Sequence, residues 1–216
     1  MSDLRALVGQ DSLQAYSEGD FHDLKASKRG ELIIIDWYKQ MAMEGRVYQV
    51  RAGTITTPLV GDVVITDTAA EMAVDATTTA VVAIPVYLNL SIRLGTGTLH
   101  EGGVKSVAAT PTAVGSTGFT PLNLLTGGAA ATVVARVAAA GGVTMAAEVA
   151  TTTRRHWAYA NPVAVGAGNT LTQFEWAPRT PPAIMGIGSA YVQIAATTTG
   201  PSYYAHLDFI ELTAAS

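Results

Sequence analysis

The stretch Tyr203-Tyr204-Ala205-His206-Leu207-Asp208-Phe209-Ile210-Glu211-Leu212 decides the reading of this chain. Tyr204, His206 and Asp208 alternate with Tyr203, Leu207 and Phe209, and a period of two places the sets on opposite faces of an extended strand. Upstream, Arg155, Trp157 and Tyr159 alternate in the same way against Arg154, His156 and Ala158. Both stretches read as half-exposed strands.

Working outward, further strands are expected at Val47 to Val50, Asp62 to Thr66, Ala80 to Leu94, Val104 to Ala109, Phe119 to Leu125, Ala131 to Val137, Thr170 to Trp176 and Ala190 to Ala195. Gly, Pro and Thr punctuate the gaps between them. Pro85 has no amide donor, so it predicts an edge position or a bulge within its stretch. Glu31-Leu32-Ile33-Ile34-Ile35 is short and β-branched, as a buried strand is. One brief helix is expected after Asp36, through Trp37, Met41 and Met43, ending at Gly45. Ala129 to Ala150 is rich in alanine, but Gly127-Gly128, Val133-Val134 and Gly141-Gly142 favour strand and loop there. About ten short strands without βαβ alternation predict an all-β chain, a β-sandwich of the jelly-roll kind. No repeat of solenoid or propeller type occurs.

A chain of 216 residues holds one such domain, set at residues 31–216. Residues 1–30 lack an apolar period and mix Asp11, Glu18, Asp20, Asp23, Lys25, Lys28 and Arg29 with isolated apolar residues, so they read as an extended N-terminal arm that orders along a partner. An ordinary flexible terminus is the competing reading. Of the 30 Asp, Glu, Lys and Arg side chains, 15 fall in residues 1–51 and 15 in residues 52–216. So sparse a charge over the body predicts that neighbouring subunits cover much of it, since a free monomer keeps itself soluble with a denser charged surface. Thr77-Thr78-Thr79, Thr151-Thr152-Thr153 and Thr197-Thr198-Thr199 fill the gap with hydroxyls, or are simply solvated loops.

The same composition excludes several kinds of chemistry. With no cysteine there is no disulfide framework, thiol nucleophile or thiolate metal site. A net charge of -4 argues against nucleic acid as a partner, because binding to phosphates needs a basic face. Met1 to Gln10 carries Asp3 and Arg5 and reads as neither signal peptide nor membrane span, so a cytoplasm-like compartment is expected and no membrane partner. Asn89-Leu90-Ser91 is then a chance sequon.

Templates for catalysis fail one by one. Gly95-Thr96-Gly97 and Gly186-Ile187-Gly188 lack the third glycine and following helix of a phosphate loop. Gly115-Ser116-Thr117-Gly118 has the wrong spacing for a nucleophile elbow. His22, His100, His156 and His206 lie far apart in sequence. His206 and Asp208 share a strand face that suits a metal, but a polar face or subunit contact is the commoner use of such a pair. No enzyme activity, cofactor or metal is expected.

The aromatic residues gather at Trp157 and Tyr159, at Phe174 and Trp176, and at Tyr203, Tyr204 and Phe209. Flat rings bury large area at small entropic cost, in cores most often and also in sugar-binding faces and interfaces. Arg154 and Arg155 beside Trp157 suit cation–π or bidentate contacts to a neighbour. Arg154, Arg155, Trp157, Tyr159, Trp176, Tyr203 and Tyr204 are therefore the candidate interface residues.

Ser27 to Leu32, Thr56-Thr57-Pro58 with Gly61 to Met72, Thr152 to Trp157, and Ala195 to Tyr204 together resemble structural proteins of tailed-bacteriophage virions. The resemblance implies a jelly-roll-like capsid cement or decoration protein, homotrimeric, made in the bacterial cytoplasm and held on the capsid surface by the major capsid protein or other virion proteins. It carries no enzyme residues. The alternatives are a carbohydrate-binding jelly roll of a tail or fibre, motivated by Trp157 and Trp176, and a jelly-roll coat subunit.

Overall fold

A computed structural model describes residues 37–54, 56–94, 99–114, 118, 120–138, 142–161 and 172–214. The expected arm, the run Glu31 to Ile35, the capping role of Asp36 and the turns at Gly95-Thr96-Gly97 and Gly115-Ser116-Thr117 lie outside the described residues. So do Phe119, Thr170 and Leu171 at the starts of two expected strands.

One helix, α1 (Trp37–Met43), comes first. It ends as expected: the Gly45 amide donates to Ala42 O at 3.1 Å, the Arg46 amide donates to Met41 O at 2.9 Å, and Gly45 takes φ 71°. That left-handed conformation strains any residue carrying a Cβ.

The strands follow as β1 (Val47–Ala52), β2 (Leu59–Val60), β3 (Ala69–Ala70), β4 (Met72–Ala76), β5 (Val81–Leu94), β6 (His100–Val107), β7 (Ala113–Val114) and β8 (Leu122–Asn123). Then come β9 (Val134–Val137), β10 (Val143–Thr144), β11 (Thr153–Asn161), β12 (Thr172–Trp176), β13 (Ile184–Met185), β14 (Gly188–Ala196) and β15 (Ser202–Thr213). The alanine-rich stretch from 129 to 150 holds β9, β10 and loops, with no helix among its described residues. The three threonine runs fall mainly in turns, where six of their nine side chains are exposed.

Eight of these strands define the topology. Taken in chain order, β1, β4, β5, β6, β11, β12, β14 and β15 pair first with last, second with seventh, third with sixth and fourth with fifth, all antiparallel. That nesting is a jelly roll. It folds into two sheets, β12-β5-β15-β1-β8 and β11-β6-β14-β4-β9, with β13 and β2 attached to the first. A small third sheet, β3-β10-β7, lies over the outer face of the second, where Ala70, Val143 and Met145 cover Ala73, Val107 and Tyr191.

Between the two large sheets, Val50, Met72, Val74, Leu88, Leu90, Ile92, Ile194, Leu207 and Phe209 form the main core. On the far side of the first sheet α1 lays Met41 over Val82, Ile84, Ile210 and Leu212. Ile210 and Leu212 face outward by the ordinary alternation of β15, whereas Val82 and Ile84 do so because of a bulge in β5. Asp208 pairs with Tyr87 but Phe209 pairs with Pro85, leaving Val86 unpaired. The expected bulge at Pro85 is thus present.

Asn123 fastens β8 to the end of α1. Its amide nitrogen donates to Gly45 O at 2.7 Å and Ala129 O at 2.9 Å, while its oxygen accepts from the Leu125 amide at 2.8 Å. Replacing Asn123 by Ala is expected to remove about 2 kcal/mol, at about 1 kcal/mol per net hydrogen bond with partial replacement by water. In a chain of this size that lowers Tm by about 4 to 8 °C, readable by differential scanning calorimetry.

Candidate functional site

A bulge decides where the aromatic cluster points. On β11, Arg155 pairs with Lys105 and Trp157 pairs with Val104, so His156 is an extra, unpaired residue. Arg155 therefore does not share a face with Trp157 and Tyr159, contrary to the alternation read from sequence. Arg155 turns outward and meets Glu148 at 2.5 Å, and Lys105 meets the same carboxylate at 2.8 Å. Hydrogen bonding from Lys105 and then Arg155 holds Glu148 below the usual carboxylate range. Trp157 and Tyr159 turn inward and pack against the core.

There they close the open side of the sandwich. Trp157 and Tyr159 have ring centroids 5.1 Å apart, and Tyr159 stacks on Phe174 of β12 at 4.0 Å, so the two edge strands are bridged ring to ring. Trp176 is 4% exposed and Tyr203 is fully buried. Of the seven candidate interface residues, Arg154 and Arg155 are exposed and Tyr204 is half-buried, receiving a hydrogen bond from Arg93 at 3.0 Å. Trp157, Tyr159, Trp176 and Tyr203 serve the interior.

The His206 and Asp208 pair lies on the outer face of the first sheet, but Asp208 is already engaged. Its two oxygens accept from Tyr38 at 3.1 Å and from Gln49 at 2.9 Å, and His206 lies against Tyr87 at 5.6 Å. Among the described residues no three His, Cys, Asp or Glu side chains converge as a metal site would require. Beside Asp208 a cleft of about 550 Å³ runs between α1 and the sheet, lined by Trp37, Tyr38, Tyr87, Pro178 and Arg179. A second, of about 450 Å³, crosses the outer face of the other sheet over Gly103 and Ala158.

Beyond residue 51 the described surface is poor in charge. Of the 15 charged side chains in residues 52–216, six are exposed: Asp67, Arg93, Arg154, Arg155, Glu175 and Arg179. Nine large apolar side chains are exposed over the described part of the same span. Val60, Val63 and Val64 follow one another near β2, Leu122, Leu124 and Leu125 surround β8, and Met185 (70%) and Ile187 (55%) flank the turn after β13. Exposed apolar groups outnumbering charges is the reverse of what keeps a lone domain in solution.

No family model, curated protein or solved structure matches this chain.

Two segments, Gly61 to Met72 and Ile194 to Pro201, meet at one rim of the sandwich. The Gly61 amide donates to Pro201 O at 2.9 Å, and Asp62 forms a parallel bridge with Ala195. Glu71 accepts from the Ile194 amide at 2.8 Å. A Cβ on Gly200 would collide with the carbonyl oxygen of Gly61, and one on Gly61 with the carbonyl oxygen of Ile194, so a close backbone approach demands each glycine. Separated by more than a hundred residues, they make one local structure.

Proposed function

We propose that this chain is a structural subunit of a virion, a cement or decoration protein of a bacteriophage head, working through contacts with copies of itself and with capsid proteins. One observation carries the proposal: among the described residues from 52 to 214, nine large apolar side chains are exposed against six charged ones. Such a surface gains from burial, at roughly 25 cal/mol for each Å² of apolar area removed from water. The jelly roll supplies a rigid body for it, and multiplicity on a lattice lets each contact be weak. The rim where Gly61 to Met72 meets Ala195 to Pro201 supports the reading, because these are the stretches that resemble virion proteins. Of the rings that motivated a glycan face, Trp176 is buried, and Trp157 is half-buried with its ring packed against the core.

Light scattering on the purified full chain is expected to return a multiple of the 22.4 kDa monomer mass, a trimer in the reading proposed. A stable monomer at micromolar concentration overturns it. Deleting residues 1–30 is expected to keep that oligomer and to abolish attachment to the capsid.

A further inference from the structure

The bulge in β11 has a second result. Between β6 and β11 of one sheet and the segment that feeds β13 of the other lies a pocket of about 430 Å³. Ser106, Arg154 and His156 line it together with Ile184, Met185 and Ile187. Ser106 Oγ stands 2.7 Å from His156 Nε2. A bulge re-aims a side chain. Here the extra residue sets the imidazole over the step between Lys105 and Val104, within reach of Ser106.

Burial, and after it the Arg154 guanidinium, hold the His156 imidazole below its ordinary range, so the ring is neutral at pH 7. A neutral ring with its proton on Nδ1 presents Nε2 as an acceptor for the serine proton. The Arg154 side chain is exposed and its guanidinium has no hydrogen-bond or ion-pair partner among the described residues. A cation beside a serine and a base is placed to stabilise a developing oxyanion. The pocket is of small-molecule size, and its aliphatic lining suits a short hydrocarbon chain.

We propose that Ser106 is an activated nucleophile, with His156 as its general base, that accepts the acyl group of small apolar esters in this pocket. Ser106 Oγ attacks the carbonyl carbon while its proton passes to His156 Nε2. The bond from that carbon to the leaving oxygen breaks, and the imidazolium returns the proton to the departing alkoxide. Ser106 is left acylated and the imidazole neutral. Water then attacks the acyl-serine by the same route, giving the free acid and regenerating the hydroxyl. This chemistry goes beyond the shell-subunit reading and does not rest on it.

The test uses the full chain with p-nitrophenyl butyrate and, separately, a fluorophosphonate, read by intact mass and peptide mapping. The expected result is one adduct, on Ser106, absent in Ser106→Ala and formed about a hundredfold or more slowly in His156→Gln, the usual contribution of a general base. Calorimetry on both variants checks that the jelly roll still melts cooperatively. No adduct at Ser106 in the folded wild type overturns the proposal. So does labelling of folded His156→Gln at the wild-type rate.

Discussion

Replacing Arg136 by Ala is expected to destabilise the protein by about 3–5 kcal/mol, the range found when one partner of a buried ion pair is removed. Arg136 stands on β9 and its Nε donates to Asp75 Oδ2 at 2.6 Å. The Asp75 side chain is 0% exposed and that of Arg136 is 20% exposed, so the pair is screened little by water. Burial pushes the Asp75 carboxyl above its usual range, and Arg136 offsets part of that. Without the guanidinium the carboxylate must ionise in a dry site or take up a proton, and either choice disfavours the folded state. Urea unfolding with an unchanged m-value reads the loss. Adding Asp75→Asn to the Arg136→Ala protein is expected to recover a large part of it, because no charge is then left stranded. If the single variant lost less than about 1 kcal/mol, the pair would be worth no more than an exposed one.

The second large effect is a dependence of stability on pH, set by Glu71. Its carboxyl is 1% exposed, between β3 and β4, and accepts from the Ile194 amide at 2.8 Å and the Asp62 amide at 3.4 Å. Burial dominates these hydrogen bonds and pushes its pKa from 4.5 up to about 8. The folded state thus holds a proton that the unfolded chain releases above pH 4.5, so this group's contribution is fully present below that pH and is lost as pH rises towards 8. Over those roughly 3.5 pH units, at about 1.4 kcal/mol each, the loss amounts to about 5 kcal/mol. Glu71→Gln is expected to flatten that slope and to be more stable than wild type at pH 9. At pH 5 it gains nothing, because its amide turns a donor toward one of the two backbone N–H groups. Denaturant titrations at pH 5, 7 and 9 check this, and a wild-type curve that is level from 5 to 8 refutes it.

How far the sequence alone reaches differs between fold and site. Alternation in residues 203–212 survives folding because Tyr203, Leu207 and Phe209 face a core that rewards a period of two, while Tyr204 and His206 remain half-buried on the other face. The same rule fails on β11, where an added residue at His156 puts Arg155 and Trp157 on opposite faces. No local signal announces that bulge, since Thr153 to Asn161 contains neither Gly nor Pro. Ser106 and His156 form no sequence motif for a related reason: they lie 50 residues apart and no short spacing links them.

By itself the sequence determined that the chain is β-rich, that its only helix among the described residues is short, that Pro85 interrupts regular pairing and that charge is scarce beyond residue 51. These follow from backbone restriction and side-chain period, which act over a few residues and need no partner. Tertiary structure alone decided that eight strands nest into a jelly roll, that Trp176 and Tyr203 are interior, that Gly61 touches Gly200, and that Glu71 and Asp75 are dry. Each of those depends on which distant segment supplies the neighbouring surface, and burial, which sets the cost of an unpaired carboxyl, exists only once that surface has arrived.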